Sequence, residues 1–592
     1  MERRAILPLV LAALTVQAAG LAEPGQATEP SSYEVPDDAL PQRPPSRDLR
    51  QAAERYLADR AALLRFRDAP LSAARDRALK QFEESWLAAL DKVDFNWLDQ
   101  HGRVDYILFR NRLTYEIRQS ELSRKRTAEM RPLIPFAETI VGLHESRRRM
   151  ESPDPAKLAA VIAQLDAQIR TAAEAVAQGR LKAEKAAGNR AAQALVPLRD
   201  TLRRWYLFHN GYDPMFTWWV TEPYKRADAS LEKYAAALRE RIAGVGKDDR
   251  DAIIGDPVGR EALLSELARE MIPYTPEELI AMGRQELAWC EAEMRRASRE
   301  LGYGDDWRKA LEHVKTLHAP PGQQPALIRD LAWEAIAFVR QHDLVSVPKL
   351  ARESWRMEMM TPEQQRINPF FRGGEVITVS YPTDAMTHEQ KLMSMRGNNI
   401  HFARATVFHE LIPGHHLAQF MQARYRPYRR LFNTSFWGEG WALHWEMMFW
   451  DLGFARSPEN RIGMLLWRMH RCARIIFSLA FHLGQMTAPE CVDLLVNGVG
   501  HERENAVAEV RRSFEGEYGP LYQCAYMVGA LQMRALHKEL VGAAKMTNRE
   551  FHDAVLKLNS IPLEMVRASL TNQPLTKEYV SAWKFLGEVK GQ

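Results

Sequence analysis

The chain has 592 residues, of which 46% are hydrophobic, 26% charged and 9% aromatic, with 32 glycines and 32 prolines. These proportions exclude collagen, coiled-coil rods, disulfide miniproteins and wholesale disorder, and they leave a globular chain with ample material for a core. Eighty basic against 76 acidic residues give a net charge of +4 with both signs interspersed, so no nucleic-acid partner is expected.

Residues 1–22 open with Glu2, Arg3 and Arg4, continue as an uncharged stretch around Leu7, Leu9, Val10 and Leu11, and close on Gly20 and Ala22. That layout predicts a secretory signal peptide and hence export to a periplasmic or extracellular compartment. An uncleaved membrane anchor is the alternative, although Pro8, Gln17 and several alanines make the stretch weakly apolar for a bilayer span. No cysteine stands near its end to accept lipid and no comparable uncharged run follows, so no stable membrane span is expected after cleavage. Residues 23–47, rich in proline with serine, threonine, glutamine and acids, predict an extended, poorly ordered tether.

From residue 48 to about 246 apolar residues recur at three- and four-residue intervals, as in Leu158, Val161, Ile162, Leu165 and Ile169, which is helical spacing. This helical amino-terminal part precedes a second helical part, 247–592, that carries the candidate site. Helix starts are marked by Ser/Thr/Asp-Pro openings at Ser152-Pro153-Asp154-Pro155 and Tyr274-Thr275-Pro276-Glu277-Glu278, where a capping hydroxyl precedes a proline and acids in the first turn. The run 373–382, Gly-Gly-Glu-Val-Ile-Thr-Val-Ser-Tyr-Pro, predicts a strand of a small sheet. The expected fold class is therefore mainly α, with a small β-sheet beside the active-site cleft. There is no fixed-period repeat, phosphate loop or Gly-x-Ser-x-Gly elbow. Cys290, Cys472, Cys491 and Cys524 form no CxxC pair; an exported chain can join them in disulfides, and buried free thiols are the blander expectation.

The chemistry concentrates in Thr406-Val407-Phe408-His409-Glu410-Leu411-Ile412-Pro413-Gly414-His415-His416 and in Phe436-Trp437-Gly438-Glu439-Gly440-Trp441-Ala442-Leu443-His444-Trp445-Glu446. Two neutral imidazoles and one carboxylate suit a hydrolytic Zn²⁺, because they leave it net positive charge and an open position for water. A further carboxylate must stand beside that water as base, and Glu410, next to the first histidine, is placed for it. In a regular helix, ligands four residues apart lie about 40° apart in azimuth and about 6 Å along the axis. His415, six residues beyond His409, would be turned by about 240°, and His416 would share its face but lie about 10.5 Å along the axis. Pro413 lacks an N–H and its ring collides with the His409 carbonyl, while Gly414 tolerates unusual dihedrals, so the helix is expected to kink or bulge there. Two residues looped out would bring His415 into the second ligand position, with His416 as the alternative ligand or a supporting neighbour. A His-acid-four residues-His pattern arises by chance about 0.06 times in such a chain, so accident is a poor explanation.

Glu439 and Glu446, seven residues apart, share a helix face otherwise lined by apolar residues, and a carboxylate there needs a partner that a metal would supply. Glu439 is the expected third ligand and Glu446 the residue that orients a ligand histidine. Trp437, Trp441 and Trp445 at helical spacing read as core packing, and His444 as an ordinary packed histidine.

Glu439-Gly440-Trp441-Ala442 resembles the Glu-Gly-Phe-Ala element of gluzincin aminopeptidases, and Gly414-His415 resembles the Gly-His pair of the thimet-oligopeptidase and angiotensin-converting-enzyme groups. More closely, His-Glu-x-x-Pro-Gly-His-His with a downstream Glu-Gly-Trp-Ala-Leu resembles the bacterial domain of unknown function 885, over most of residues 48–587. The resemblance implies a helical, gluzincin-like architecture, bound zinc and peptide-bond hydrolysis. It further implies a sheet edge at 376–381, ending in Tyr381, that pairs with a peptide substrate. A phenol is implied as donor to the oxyanion, with Tyr526, of the Tyr526-x-x-Gly529 element, ahead of Tyr522. It also points to His482 as a substrate contact, although Ser478-Leu479-Ala480-Phe481-His482 lacks the acid of the family's Asp-x-Gly-x-His. Arg511 or Arg512, ahead of Tyr518-Gly519-Pro520, is placed to bind a substrate carboxylate.

The expectation is thus an exported zinc metallopeptidase whose peptide substrate enters a cleft between the amino-terminal part and the ligand-bearing helices. Glu410 serves as base and Tyr526 as electrophilic donor, with His409, His415 and Glu439 on the metal. Hydrolysis of non-peptide amides needs the same machinery. A silent metal-binding or substrate-binding protein is the other alternative; structural zinc sites are usually closed by a fourth ligand, often cysteine, and none lies in this segment.

Overall fold

The capping signals in the sequence start helices where they stand. Asp154 accepts the backbone N–H groups of Ala156 and Lys157 at the start of the helix Pro155–Ala177, and Thr275 with Glu278 forms a reciprocal capping box on Pro276–Glu300. In the computed structural model, residues 33–587 are described apart from 37, 153, 247, 248, 250, 251, 369 and 517. The segment read as a signal peptide and the beginning of the tether lie outside the described residues. Helices dominate the rest, 23 of them α-helices, with one two-stranded sheet among the described residues.

The described part of the proline-rich segment has no regular structure, yet it is not detached as its composition suggested. Ala39 and Leu40 are buried, the Tyr33 ring packs on Phe82, and its hydroxyl donates to Asp59 at 2.6 Å. Three apolar side chains are enough to hold a chain of this composition against the helices.

Hydrophobic contacts group the described residues into three clusters. One core runs from Ala39 to Leu113 and takes in much of the chain from Leu263 onward, while Phe371, Ile377, Val379, Val407 and Leu411 beside the candidate site form a smaller cluster of their own. A second is made by the helices Ala137–Arg148, Pro155–Ala177, Lys185–His209 and Pro214–Ala237, with Ile162, Leu165 and Ile169 at its centre. The long helix Gln100–Met130 belongs to the first core at its start and to the second at its end. Arg429 and Asp105, both fully buried and 2.8 Å apart, tie that helix to the site-bearing body. No helix among the described residues is long and apolar enough to cross a membrane.

The strand expected over 373–382 is shorter, Val376–Val379, and pairs in parallel with Arg356–Met359, Arg356 opposite Val376. It ends there because the next groups bond elsewhere: the Ser380 hydroxyl and the Tyr381 N–H both donate to Gln365 Oε1. Its outer edge, expected to be open for a peptide, is closed at Thr378 by Arg372, which exchanges both backbone bonds with it at 2.8 and 3.0 Å. The sheet therefore carries a third short stretch of chain, 370–374, toward the candidate site.

Two helices that build the site cross with almost no separation. The helix Ser435–Asp451 is buried nearly all round, with Trp437 and Trp441 stacked at 5.5 Å and Trp445 edge-on to Trp441, which makes this stripe core packing. It meets Tyr522–Leu540 at Gly440 and Gly529; a Cβ on Gly529 would lie 2.0 Å from the Phe436 carbonyl oxygen. Only glycine lets the two backbones approach this closely.

Candidate metal centre

The helix Ile400–Glu410 starts on Asn399, whose side chain accepts the N–H groups of His401 and Phe402, and stops at Glu410. Leu411 leaves the helical region, the Ile412–Pro413 peptide is cis, and a new helix, His415–Gln422, begins directly after Gly414. The expected kink is thus a full break, with the two histidines on consecutive helices. The Gly414 N–H reaches back to the Phe408 carbonyl at 3.0 Å, and the Trp441 indole N–H donates to the Pro413 carbonyl at 2.8 Å. A Cβ on Gly414 would stand 1.8 Å from the His409 carbonyl oxygen, so the turn requires glycine.

This break sets the His409 and His415 rings 4.9 Å apart and nearly perpendicular. Glu439, projecting from Ser435–Asp451, places Oε2 3.2 Å from His415 Nε2 and 3.6 Å from His409 Nε2. One donor atom from each of these three residues lies within 4.8 Å of the others, the only such cluster of three or more among the described residues. His409 Nδ1–H donates to Glu446 at 2.6 Å, which turns Nε2 toward Glu439, and Tyr522 donates to Glu439 Oε1 at 2.6 Å. Glu439 Oε2 is buried and has no hydrogen-bond partner. A buried carboxylate oxygen without a donor, facing two imidazole nitrogens, fits a divalent cation.

The electrostatics agree. Burial opposes protonation of His409, but the carboxylates of Glu439 and Glu446 outweigh it and raise the imidazole to about 9. Burial likewise opposes ionisation of Glu439, yet His415 and His409 hold it well below the ordinary carboxylate range. Positive charge is therefore strongly favoured between these groups, and a metal would supply it in place of the proton. Substituting Glu446 by Gln removes the carboxylate that aims His409; if the cluster holds zinc, its affinity is expected to fall about 10- to 100-fold, read by competition with a chelating dye.

Glu410 faces the same space, a cavity of about 250 Å³ lined also by His409, His415, Glu439, Tyr526 and Arg512. Its carboxyl is raised by burial. Gly373, in the stretch beside the sheet, leaves room for it: a Cβ there would lie 2.3 Å from Glu410 Oε2. The Tyr526 ring lies nearly parallel to that of His409 at 6.2 Å, and its hydroxyl is a loose 3.3 Å from that of Tyr522. Burial pushes the Tyr526 phenol up to about 12, so it is a protonated donor at neutral pH.

Four sequence-based expectations are corrected here. His416 points away from the cluster and donates to the Ala351 carbonyl at 2.7 Å, because the new helix turns it to the opposite side. His482 lies outside the cavity, packed against Phe481 and Phe514 and lowered to about 4 by burial. Tyr381 follows the strand and does not line the cavity, its backbone held by Gln365. The cavity wall contains nothing from 48–246, the part expected to share the cleft; every lining residue falls between Phe370 and Tyr526.

Sequence reasoning missed Arg471 and Arg474, which line the cavity from the helix Pro458–His482. Their signal was a row of arginines three residues apart, Arg468, Arg471 and Arg474, inside an apolar helix; each has a carboxylate partner, Glu286, Glu446 and Glu509. Burial raises Glu509, but the guanidinium groups of Arg474 and Arg512 outweigh it and hold it at about 2. A depressed folded-state value stabilises above the unfolded carboxylate range, near 4.3, and that stability is lost as pH falls toward 2. Glu509→Gln is therefore expected to melt below wild type at pH 7, with the gap closing between about pH 4.3 and 2.

Residues 64–570 match the model of a family described as bacterial proteins of unknown function, DUF885. The chain belongs to the DUF885 family. No curated protein matches it. Among solved structures, this DUF885 chain is similar to a candidate lipoprotein of unknown function from Shewanella oneidensis, with a TM-score of 0.65 and 17% identity over 88% of this chain and 99% of that one. A candidate lipoprotein from Colwellia psychrerythraea gives a TM-score of 0.53 at 17% identity, over 88% and 97%. At that identity the similarity concerns the fold, which the DUF885 chain shares along nearly the whole length of both.

Proposed function

We propose that this DUF885 protein is an exported, gluzincin-like zinc metallopeptidase. The observation that carries the reading is the convergence of His409, His415 and Glu439 on one point, with Glu410 and Tyr526 facing the same cavity. Zinc held by His409, His415 and Glu439 would polarise the substrate carbonyl and make a water acidic at neutral pH.

The protein's own groups divide the remaining work. Glu410, raised by burial and adjacent to the first ligand, takes a proton from the attacking water and delivers it to the leaving nitrogen. Tyr526 donates its hydroxyl hydrogen to the developing oxyanion, since that proton is only loosely engaged by Tyr522. Tyr522 and Glu446 hold Glu439 and His409 in place. The chain at Phe371 and Gly373 borders the cavity, while Arg372 between them is paired to Thr378, so its backbone is the surface along which an extended peptide would lie.

Export is supported by the charged start, uncharged stretch and small-residue end of residues 1–22, and by the lipoprotein descriptions of both structural relatives. Metal analysis of the purified protein, with hydrolysis of a mixed peptide library and a panel of small amides, tests the reading. One zinc per chain and cleavage of peptides but not small amides is the expected result. A preparation that never holds a stoichiometric ion, or that holds one and cuts nothing, would overturn it.

A further inference from the structure

The wall of the cavity away from the metal ligands carries a cluster of buried arginines. Arg471, Arg474 and Arg512 all line it, and all three are buried. They share two carboxylates. Glu446 is 3.5 Å from Arg471 and already accepts the His409 hydrogen bond; Glu509 accepts from Arg474 Nε at 2.7 Å and lies 3.5 Å from Arg512 Nε. Arg474 Nη1 is buried without any acceptor, whereas Arg512 Nε faces Glu509 Oε2. Burying a guanidinium donor without an acceptor is costly, so Arg474 Nη1 calls for an anion supplied from the cavity.

Aromatic rings fix these two arginines. The Arg474 guanidinium stands 4.3 Å from the centre of the Tyr526 ring and that of Arg512 5.1 Å from Tyr518. Planar, preoriented forks of this kind match a carboxylate. The Tyr526 ring in turn lies 6.2 Å from that of His409. Those two steps bound the distance from guanidinium to metal ligand, and one to three residues of extended chain, at about 3.3–3.6 Å each, cover it.

We propose that Arg474 and Arg512 form the subsite for a peptide's C-terminal carboxylate, so that cleavage falls within three residues of the C-terminus. This rests on the metallopeptidase reading. Arg474 and Arg512 bind the carboxylate, and Glu509 positions Arg474 by occupying its Nε edge and leaving Nη1 for the ligand.

The test compares peptides that differ only at the end of the chain. Wild-type, zinc-loaded protein is given one peptide as the free acid, as the C-terminal amide, and as the amide with glutamate in the last position. Binding of a dipeptide and its amide is measured separately by calorimetry on metal-free protein, which does not depend on turnover. The expected result is at least tenfold tighter binding of the dipeptide acid, hydrolysis of the free acid within three residues of its end, and at least tenfold loss of kcat/KM on amidation. Arg512→Gln should raise KM for the acid more than it lowers kcat and erase the preference for it.

Equal use or equal binding of acid and amide, cleavage in the peptide interior, or no binding of either dipeptide would overturn the proposal. Rescue of the amide by the glutamate side chain would assign the subsite to acidic side chains and overturn the C-terminal assignment. Should no peptide be cut while the dipeptide acid still binds at least tenfold tighter than its amide, the metallopeptidase reading fails and the carboxylate subsite stands.

Discussion

On the proposed metallopeptidase reading, Glu410→Gln is expected to bind as much zinc as wild type and to hydrolyse peptides about 10²- to 10⁴-fold more slowly, the range that a positioned general base contributes. The amide keeps the size of the side chain beside Gly373, where a Cβ would already collide with Glu410 Oε2, so the substitution does not disturb the stretch along which substrate would lie. It removes only the proton acceptor. Metal analysis and single-turnover kinetics on the same preparation separate the two effects; full turnover by a zinc-loaded variant would remove Glu410 from the mechanism.

The second large effect concerns the turn rather than the chemistry. Gly414→Ala places a methyl carbon 1.8 Å from the His409 carbonyl oxygen and 2.6 Å from that of Phe408, both of them backbone atoms with no freedom to rotate away. The break cannot close as it does now, and the helix that begins with His415 must shift. Loss of stoichiometric zinc and of activity is expected, with a fall in stability on the order of 3 kcal/mol or more, measured by urea unfolding. His416→Ala is the contrasting case: its ring bonds Ala351 on the far side, so zinc content should be unchanged. Retention of zinc by Gly414→Ala together with its loss from His416→Ala would reverse the assignment of the second histidine.

What the sequence reveals of this site depends on how local the cause is. Pro413 and Gly414 announce an interruption because the missing N–H and the missing Cβ are properties of those two residues. Whether it is a kink or a complete break depends on Trp441, 28 residues on, whose indole takes the Pro413 carbonyl. Glu439 and Glu446 were legible because a carboxylate on an apolar face needs a partner wherever the helix lies, and both have one. The arginine row on Pro458–His482 obeys the same rule, but its partners come from three separate helices and nothing local identifies them. Tyr381 and His482 failed for another reason, since only a resemblance suggested them and no property of the residues themselves required them to face a cavity. Tyr33, Ala39 and Leu40 show the limit of composition, because their packing holds a stretch that is otherwise suited to disorder.

The indole bond from Trp441 to the Pro413 carbonyl joins the helix that carries Glu439 to the turn that aims His415. Because Trp441 is only two residues from Glu439, that latch locks the carboxylate and the second imidazole into a single mechanical unit, while Glu446, on the same helix, grips His409. An ion arriving at such a cage finds its coordination sphere assembled and has little chain to reorganise. Stripping the ion with a chelator would accordingly silence the protein without unwinding it, in contrast to small zinc domains whose fold exists only around their metal.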